Sequence, residues 1–275
     1  MSRTIVELAE KKLSVSNLEK DLYPSYGFTK ARILDYYRRI APFILPHLRD
    51  RALTLKRYPG GVDKDYFYEK RCPAHRPDWV KTADVPHHHG EPVSACLIND
   101  LQSLMWVENL ASLELHVPLA KASSPETPDS LVFDLDPGEP ANILDCSRVA
   151  LILRDLLTRM GLVSFVKTSG QKGLHVFVPL NRRDTTYEDT KIFSKTVAEI
   201  MQKHYPGLVT ANMAKQERMG RIFINWSQND ASKTMISVYS LRAREKPFVS
   251  FPLSWKALED LSAVAVPDKF HILHD

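Results

Sequence analysis

The spacing of apolar residues in the first half of the chain predicts both helices and strands. Residues 4–22 are amphipathic with a helical period, and a second helix is predicted to begin after Thr29, a suitable N-cap residue, and to end at Pro42. A third helix is predicted over residues 100–115 and a strand over residues 52–58. We therefore expect this half to combine amphipathic helices with at least one strand.

The second half has a more regular order of elements. The pattern predicts a strand at 131–136, a helix at 142–160, strands at 162–168 and 174–179, a helix at 187–204 and a strand from residue 208. Gly161 fits the C′ position of the first of these helices. Strand, helix, strand, strand, helix, strand is the order of a split βαβ, ferredoxin-like sheet. In such a sheet the strand at 131–136 can neighbour the strand that carries His175. After Pro252 a short helix and a polar tail are expected.

Two carboxylates, Asp134 and Asp136, lie one residue apart in the predicted strand that leads into a Pro-Gly turn. Because side chains alternate between the two faces of a strand, both carboxylates point to the same side, while Phe133 and Leu135 point into a core. Two like charges on one face repel each other, and a divalent cation between them would remove the repulsion. Two solvated carboxylates at a strand end are the alternative interpretation.

Composition is typical of a globular protein. A chain of 275 residues with 44% hydrophobic content can form one large domain or two small ones. The sequence contains neither an apolar run long enough to cross a bilayer nor a signal-type start, so we expect a cytoplasmic location and no membrane partner. The cysteines, Cys72, Cys96 and Cys146, are widely spaced, which favours free thiols in a reducing compartment over a disulfide framework.

The charge is unevenly distributed, although the net charge is only +4. Residues 1–70 contain fourteen Lys or Arg against nine acids, residues 121–145 contain six acids against one Lys, and residues 211–246 contain seven basic residues against three acids. An acidic centre between basic flanks suits a polyanionic substrate whose reacting phosphates meet metal ions. Ordinary variation of a protein surface is the alternative.

Basic and aromatic residues in the first segment are candidates for nucleic-acid contacts. Lys20 and Lys30 flank a turn at the start of a predicted helix, where ammonium groups and backbone amides could hold a phosphate. The run Tyr66-Phe67-Tyr68 lies among charged residues, and at least one of these rings should face outward. Exposed aromatic rings beside cations are suited to base stacking and backbone contact, while a core or edge strand is the alternative.

Two polar segments in the second half are candidate phosphate contacts. The turn from Ser169 to His175 offers a hydroxyl, glycines that permit close backbone approach, Lys172 and an imidazole. Residues 221–229 and 239–244 are predicted strands joined by a polar loop. The cations of this loop and its second strand are Lys233, Arg242 and Arg244, and solvated surface cations are the alternative interpretation.

A cysteine- and histidine-rich segment, residues 72–96, raises the question of zinc. Its candidate ligands are Cys72, His75, His87, His88, His89 and Cys96. The spacings match no standard zinc pattern, and adjacent histidine side chains diverge, so we favour a surface loop. His116, further along the chain, is by itself more typical of a structural histidine.

Taken together, four ordered motifs resemble the polymerase domain of ligase D, a member of the archaeo-eukaryotic primase superfamily that serves nonhomologous end joining. They are Asp134-Leu-Asp136-Pro, Ser169-Gly-Gln-Lys-Gly-Leu-His175, Trp226-Ser-Gln-Asn and Tyr239-Ser-Leu-Arg242. The likeness covers nearly the whole chain. It implies a mixed α/β (α+β) primase-polymerase fold in a single domain, with a ferredoxin-like or RRM-like catalytic sheet at 131–245, an N-terminal α/β part at 1–130 and a C-terminal tail at 246–275.

The resemblance implies a metal-dependent nucleotidyltransferase that extends a DNA primer on a template. Such an enzyme fills gaps and extends 3′ ends at double-strand breaks, prefers ribonucleotides and uses Mn²⁺ or Mg²⁺ in a two-metal site. The implied partners are primer-template DNA, DNA ends with a 5′-phosphate, NTPs and dNTPs, Ku and a DNA ligase, in a nucleoid-associated location. Because a ligase or nuclease domain does not fit in 275 residues as well, we expect an excised domain or a protein that works with separate partners.

The resemblance also implies roles for individual residues. Asp134, Asp136 and the position of Asn225 correspond to metal ligands and, with His116, to catalytic residues. The implied contacts to the incoming nucleotide are Ser169, Lys172, His175, Gln228, Lys233, Arg242 and Arg244. The implied DNA contacts include Lys20 and Lys30, at the 5′-phosphate of the downstream strand, and also Lys56. Phe67 and Tyr68 are implied to stack on template bases. Arg218 is implied to lie on a mobile loop near the primer terminus.

Asn225 departs from the family pattern, which has a third aspartate at this position. Two-metal chemistry uses carboxylates to bind both ions, whereas an amide offers an oxygen without a charge. The chain is therefore expected to be a polymerase inactivated by an isosteric substitution, or a naturally silent module that binds and aligns DNA ends. A small-molecule metallohydrolase would explain the paired acids but not the phosphate and aromatic motifs.

Overall fold

The computed structural model describes residues 3–8, 11–87, 90–182 and 184–265. The chain divides into two compact units. Unit 1 comprises Met1–Asp129, Arg182–Tyr187 and Asp230–Phe251, and unit 2 comprises Ser130–Asn181, Glu188–Asn229 and Pro252–Asp275. Each unit has its own hydrophobic core. Within the described ranges, every helix is too short or too polar to cross a membrane.

The helices and strands are as follows. The helices are α1 (Lys30–Leu48), α2 (Leu101–Asn109), α3 (Ile143–Arg159), α4 (Tyr187–His204) and α5 (Trp255–Ala265). The strands are β1 (Arg3–Leu8), β2 (Lys11–Ser16), β3 (Asp21–Tyr23), β4 (Phe28–Thr29), β5 (Thr54–Arg57), β6 (Phe67–Glu69), β7 (Thr82–His87), β8 (Gly90–Cys96), β9 (Glu114–Val117), β10 (Ser130–Pro137), β11 (Phe165–Thr168), β12 (Leu174–Pro179), β13 (Val209–Thr210), β14 (Ile222–Asn225), β15 (Met235–Ile236), β16 (Leu241–Ala243), β17 (Pro247–Val249) and β18 (Pro252–Leu253).

The N-terminal segment is a hairpin, so the helix predicted over residues 4–22 is wrong. Strands β1 and β2 pair in antiparallel fashion, and β3 follows them. In β2 the buried residues Leu13 and Val15 alternate with exposed ones, which is the period of a strand. The apolar residues that suggested one amphipathic helix belong to separate strands.

Helix α1 begins as predicted but ends later. The hydroxyl of Thr29 accepts a hydrogen bond from the Arg32 amide at 3.4 Å, which confirms the predicted N-cap. The helix then continues past Pro42 to Leu48, although a proline inside a helix removes a hydrogen bond. Ile44 and Leu48 are fully buried in the core of unit 1. Their packing favours helix beyond the point where local sequence predicts its end.

Helix α2 is shorter than predicted. The Asp100 carboxylate caps its first turn by accepting the Ser103 amide at 2.7 Å, and the helix ends at Asn109. Ala111 then has a φ of 59°, which a continuing helix does not allow. The following residues form β9 in a sheet ordered β15-β9-β5-β6. His116 therefore lies on a strand rather than near the end of a helix.

The cysteines differ from the expectation of free thiols, because Cys72 and Cys96 form a disulfide. Strand β8 ends at Cys96, and the Cys72 amide donates to the Ser94 carbonyl at 2.7 Å, so tertiary pairing brings the two sulfurs together. Linear spacing does not show such a neighbour. Cys146 is free and buried.

The segment at 72–96 is not the surface loop that its composition suggested, because β7 and β8 pair as an antiparallel hairpin. Its Cys72 and Cys96 are bonded to each other. Of the histidines weighed as zinc ligands, His88 and His89 lie outside the described residues.

Unit 2 contains a sheet with the predicted order of strands and helices, except that β14 lies between β10 and β13, which a ferredoxin-like sheet would pair directly. Its strand order is β13-β14-β10-β12-β11-β18, and α3 and α4 make the expected connections. Strand β10 lies centrally and pairs antiparallel with both β12 and β14. Gly161 follows α3 with a φ of 75°, which confirms the predicted C′ glycine. The mixed α/β fold class and the position of the paired acids in a central strand are thus both confirmed.

Candidate active site

Strand β10 places the two predicted metal ligands in the central part of the unit 2 sheet. Asp134 is 6% exposed, while Phe133 and Leu135 are fully buried in the hydrophobic core. The register sets Asp134 opposite His175 of β12 on one side and opposite Asn225 of β14 on the other. Three strands thus bring together residues that are distant in sequence.

The Asp134 carboxylate is surrounded by donors. One oxygen, Oδ1, lies 3.3 Å from His175 Nε2, and Oδ2 accepts hydrogen bonds from Asn225 Nδ2 at 3.2 Å and Gln228 Nε2 at 3.4 Å. Burial raises the pKa of Asp134, but the hydrogen bond from His175, followed by those from the two amides, holds the pKa below its ordinary value. The carboxylate is therefore ionised at neutral pH.

Lys167 of β11 supports this arrangement and was missed in the sequence. Its buried ammonium lies 2.9 Å from His175 Nδ1. Since an ammonium has only donors, Nδ1 is the acceptor, and the ring proton lies on Nε2, towards Asp134. The register pairs Lys167 with His175, so this neighbour could be found only after β11 and β12 had been aligned.

Asp136 has a different electrostatic environment. Burial and then the negative charge of Asp134 raise the pKa of Asp136 to about 6, while Arg218 opposes the rise. A pair of carboxylates on one face of a strand supplies the hard oxygen ligands that Mg²⁺ and Mn²⁺ prefer. The two aspartates therefore fit a divalent cation.

Both polar atoms of the Asn225 side-chain amide form hydrogen bonds. Its Nδ2 donates to Asp134, and its Oδ1 accepts from Ser227 Oγ at 2.8 Å. An N–H group thus faces the carboxylate where an aspartate would present an oxygen. Within the described ranges, we find no group of three or more His, Cys, Asp or Glu side chains placed to hold a metal ion. The donor set consists of two carboxylates, with an amide in the third position.

The raised pKa of Asp136 predicts a pH-dependent affinity for metal. Because a cation must displace the proton, we expect Mn²⁺ affinity to fall by up to about tenfold per pH unit as the pH falls below about 6. Electron paramagnetic resonance titrations of free Mn²⁺ between pH 5 and 7.5 would measure this. Asp136→Asn should weaken binding and flatten the profile, whereas an equally steep profile in this variant would contradict the assignment.

The turn after β11 approaches β10 closely. Ser169 Oγ accepts from the amides of Gln171 and Gly173, both at 3.2 Å, so the hydroxyl shapes the turn. A Cβ on Gly173 would lie 2.0 Å from the Leu135 carbonyl oxygen, so only glycine fits. Lys172 forms an exposed ion pair with Glu139 at 2.9 Å. Such a surface pair is weak, and Lys172 can exchange it for a phosphate.

Arg218 is the last residue of a short 3₁₀ turn and is held by its neighbours. Its guanidinium carbon lies 3.8 Å from the centroid of the Phe223 ring, and its Nη2 donates to the Met213 carbonyl at 2.6 Å. Its charge lowers the pKa of Asp136. The structure therefore places this predicted DNA contact within electrostatic range of the paired carboxylates.

A second group of predicted site residues shares one face of the unit 1 sheet. The register pairs Tyr68 with Lys56, and Lys56 with Glu114. The Lys56 ammonium lies 4.0 Å from the Tyr66 ring centroid and 5.4 Å from that of Tyr68. Tyr66, Phe67 and Tyr68 are 52%, 43% and 56% exposed, which confirms outward-facing rings.

Glu114 connects this face to β16 and was also missed in the sequence. Its Oε2 lies 3.0 Å from His116 Nε2, 3.1 Å from Arg242 Nη1 and 3.9 Å from Lys56 Nζ. Its Oε1 accepts from the Ala243 amide at 3.0 Å. Burial raises the pKa of Glu114, but the hydrogen bond from His116 and the charge of Arg242 hold it below the ordinary value. The alternation of Glu114 and His116 would have shown their shared face if residues 114–117 had been recognised as a strand.

The remaining cations of unit 1 lie near this group or in turns. Burial lowers the pKa of Lys56, and the nearby charge of Arg244 lowers it further. Cations around the Glu114 carboxylate therefore outnumber it, and this face can attract anions. Lys233 lies in a turn that is closed by a hydrogen bond from its amide to the Asp230 carbonyl at 3.0 Å.

Lys20 and Lys30 are brought together as predicted. The Lys30 amide donates to the Lys20 carbonyl at 2.8 Å, while Lys30 Nζ donates to the Ser16 carbonyl at 2.7 Å and Lys20 Nζ to the Pro59 carbonyl at 2.5 Å. Burial, and then the charge of Lys20, lower the pKa of Lys30 to about 8. Two ammonium groups near enough to influence each other's charge are suited to a doubly charged phosphate.

Comparisons with known proteins agree with this geometry. The family model described as "LigD, primase-polymerase domain" matches residues 29–273. The chain is 40% identical over 260 residues to "Multifunctional non-homologous end joining DNA repair protein LigD" of Mycobacterium tuberculosis, covering 92% of this chain and 34% of that protein. It is 32% identical over 249 residues to "Bifunctional non-homologous end joining protein LigD" of Bacillus subtilis, covering 90% of this chain and 40% of that protein. The chain therefore spans well under half the length of these relatives.

A solved structure gives the same result for the fold. The "Polymerase Domain from Mycobacterium tuberculosis Ligase D in complex with DNA" aligns with a TM-score of 0.86 at 40% identity, covering 91% of this chain and 89% of that one. The similarity thus extends over nearly the whole of both chains.

Proposed function

Because this chain belongs to the family of LigD primase-polymerase domains, we propose that it is a template-directed nucleotidyltransferase that extends 3′ ends and fills gaps at DNA double-strand breaks. Its substrates would be primer-template DNA and nucleoside triphosphates, with ribonucleotides preferred. Ku and a DNA ligase, separate or fused, would be its partners at the nucleoid in the cytoplasm. The single observation that carries the proposal is the Asp134–Asp136 pair, in which donors from neighbouring strands hold Asp134.

The carboxylate pair suits phosphoryl transfer. Asp134 and Asp136 would hold Mn²⁺ or Mg²⁺, which when bound would neutralise phosphate charge and assist attack by the primer 3′-hydroxyl. His175, fixed by Lys167, orients Asp134 through Nε2, and the Gln228 amide supports its second oxygen. These donors keep Asp134 ionised and in place.

Each unit carries cations that suit phosphate groups. In unit 1, Arg242, Arg244 and Lys56 give an excess of positive charge near His116. In unit 2, Ser169 and Lys172 belong to a turn with close backbone approach. We propose that each of these groups, and Lys233 in unit 1, contacts nucleotide phosphates.

The exposed aromatic run suits template bases. Tyr66 and Tyr68 pack around the Lys56 ammonium, and Phe67 lies over the Arg57 guanidinium at 5.1 Å. Exposed rings beside cations can stack on bases while the cations contact the backbone. We propose that Phe67 and Tyr68 stack on the template strand.

Asn225 supports a second candidate function. Its amide donates a hydrogen bond to the Asp134 carboxylate, which therefore has a partner without a cation. This is expected of a naturally silent module that binds and aligns DNA ends. The two proposals separate in a primer-extension assay with Mn²⁺, a 5′-phosphorylated gapped DNA and ribonucleotides. Slow extension that Asp134→Ala abolishes supports the polymerase, and DNA binding with no extension at any enzyme concentration supports the silent module.

We expect Lys20 and Lys30, which lie together near the start of α1, to select DNA with a 5′-phosphate. Unmodified protein should bind gapped DNA about tenfold more tightly when the gap carries a 5′-phosphate than when it carries a 5′-hydroxyl, since charge-assisted hydrogen bonds reach the dianion. Lys20→Ala with Lys30→Ala should erase this difference. Because the pKa of Lys30 is about 8, the preference should also shrink between pH 7 and pH 9.

Fluorescence anisotropy at fixed salt measures both affinities. Arg38→Gln with Arg39→Gln is the matched control, because it removes two exposed positive charges from the same helix without touching the lysine pair. The control substitution should weaken the binding of both DNAs to the same extent. Equal affinity of the unmodified protein for both DNAs would contradict the proposed phosphate pocket.

A further inference from the structure

Glu114 is the only carboxylate that the described part of unit 1 places in hydrogen-bond contact with both His116 and Arg242. It is 1% exposed, and both of its oxygens accept hydrogen bonds from other segments of unit 1 or from its own strand. Burying a carboxylate is costly unless it is paired and hydrogen-bonded, and here the pairing is complete. Such an arrangement fixes the side chains that surround it.

The contact determines which nitrogen of His116 carries the proton. An ionised carboxylate only accepts hydrogen bonds, so Nε2, at 3.0 Å, must be the donor. In the neutral ring Nδ1 is then the nitrogen that can accept a proton or a hydrogen bond. The carboxylate thus selects one tautomer and one ring orientation.

The same oxygen orients the guanidinium of Arg242. Nη1 is bound to Glu114 at 3.1 Å, and the following residue is fixed by the hydrogen bond from the Ala243 amide to the other oxygen. The contact to Nη1 and the low exposure of the side chain, 11%, restrict the orientation of the planar guanidinium. Arg242 is therefore presented with little freedom left to lose on binding.

We infer that Glu114 is a positioning residue for nucleotide binding, which holds His116 as the Nε2–H tautomer and aims Arg242 at the nucleotide phosphates. The inference rests on the proposed function of this face, but its central claim concerns two contacts that can be measured without catalysis. Glu114 itself need not touch the nucleotide.

Glu114→Gln tests the inference, since it keeps the size of the side chain and an oxygen for the Ala243 amide but removes the charge. We expect the affinity for ATP, measured by calorimetry with Mn²⁺ present, to fall about tenfold or more, since hydrogen bonds to charged groups are the stronger ones. In long-range ¹H–¹⁵N spectra, His116 should show the Nε2–H pattern in the unmodified protein and lose it in the variant. His116→Gln assigns the signal.

The pH at which His116 titrates gives a further readout. The charged or titratable groups facing it are Glu114 on its own strand, Lys56 of β5, Tyr68 of β6 and Arg242 of β16. Burial lowers the pKa of His116, and Glu114 opposes this effect. Removing the carboxylate should therefore lower the midpoint further.

Glu69→Gln is the matched control. Glu69 forms an ion pair with Arg57 at 2.8 Å in the same sheet, on residues that alternate with the Lys56 and Tyr68 positions. This control should leave ATP affinity and the His116 signal unchanged. If Glu114→Gln behaves like Glu69→Gln in both measurements, the inference is overturned.

Two further outcomes remain decisive. If Glu114→Gln does not fold, the spectrum of the unmodified protein still decides, since an Nδ1–H tautomer at neutral pH overturns the inference. If the unmodified protein binds no nucleoside triphosphate, the proposed nucleotide site fails. The tautomer of His116 and its change in Glu114→Gln then still show whether Glu114 positions it.

Discussion

Replacing Asn225 with aspartate should raise the rate of Mn²⁺-dependent primer extension by about a hundredfold to a thousandfold. The reason lies in the amide, whose Nδ2 points at Asp134 and whose Oδ1 is taken by Ser227. A carboxylate in its place would give a third anionic ligand. Stabilising the metal-bound transition state by roughly 3–4 kcal/mol corresponds to this gain.

The same variant should depend on metal for its stability. Without a cation, a third carboxylate beside the buried Asp134 adds repulsion and removes a hydrogen-bond donor. We therefore expect Asn225→Asp to melt at a lower temperature than the unmodified protein in EDTA and to recover with Mn²⁺, because a ligand that binds only the folded state stabilises it. This measurement does not require any DNA.

Asn212→Asp is the control for this substitution, because it makes the same chemical change at an exposed position of unit 2. Primer extension with ribonucleotides and deoxyribonucleotides under matched conditions would measure the rates. Faster use of ribonucleotides would support the proposed sugar preference. If Asn225→Asp with Mn²⁺, template and nucleotides extends no primer, the polymerase proposal fails.

Replacing Glu108 with glutamine should make the protein increasingly more stable than the unmodified one as the pH rises. Glu108 of α2 is fully buried, and neither of its carboxyl oxygens has a hydrogen-bond partner in the structure. Burial raises the pKa of Glu108 well above its ordinary value of 4.5. The residue is therefore held in the neutral form within the core of unit 1.

The sign of the effect follows from proton linkage. Above pH 4.5 the unfolded chain has released this proton, whereas the folded chain retains it. The stability that Glu108 contributes is thus fully present below pH 4.5 and is lost as the pH rises towards the folded-state pKa. Each pH unit in this window lowers the free energy of unfolding of the unmodified protein by about 1.36 kcal/mol, whereas the Glu108→Gln variant has no such loss.

Denaturant unfolding at several pH values measures the difference between the two proteins. At pH 4 they should have similar stability, because a protonated glutamate and a glutamine both bury a neutral polar group. Glu19→Gln is the control at an exposed position and should leave the pH dependence unchanged. A constant difference between Glu108→Gln and the unmodified protein from pH 4 to pH 8 would contradict a neutral, buried carboxyl.

Local pattern predicted the part of the site that local geometry determines. The alternation around Asp134 and Asp136 placed both acids on one face of a strand, and the order of elements predicted the neighbouring strand with His175. Both expectations were confirmed because a strand has a fixed period of two. Lys20 and Lys30 also lie together, because they flank the hairpin that β3 and β4 form.

Tertiary contacts were beyond the reach of local pattern. Lys167 and Glu114 are typical solvated residues in the sequence. The register of β11 and β12 reveals the histidine partner of Lys167, and the assignment of residues 114–117 to a strand reveals that of Glu114. The N-terminal hairpin, the passage of α1 through Pro42 and the Cys72–Cys96 disulfide likewise depend on packing between distant segments. In each case a contact across the fold outweighed the local preference.

The discontinuity of unit 1 has a consequence for the order of events during synthesis. Glu114 leaves the ribosome 128 residues before Arg242, and Asp230–Phe251 is the last part of unit 1 to appear. Until then the nascent chain carries a carboxylate whose guanidinium and Ala243 amide partners have not been made. The fold of unit 1 is thus completed only after Ser130–Asn181 and Glu188–Asn229 of unit 2 have been translated. Fragments that end before residue 241 therefore lack Arg242 and Arg244, even where β5, β6 and β9 are present.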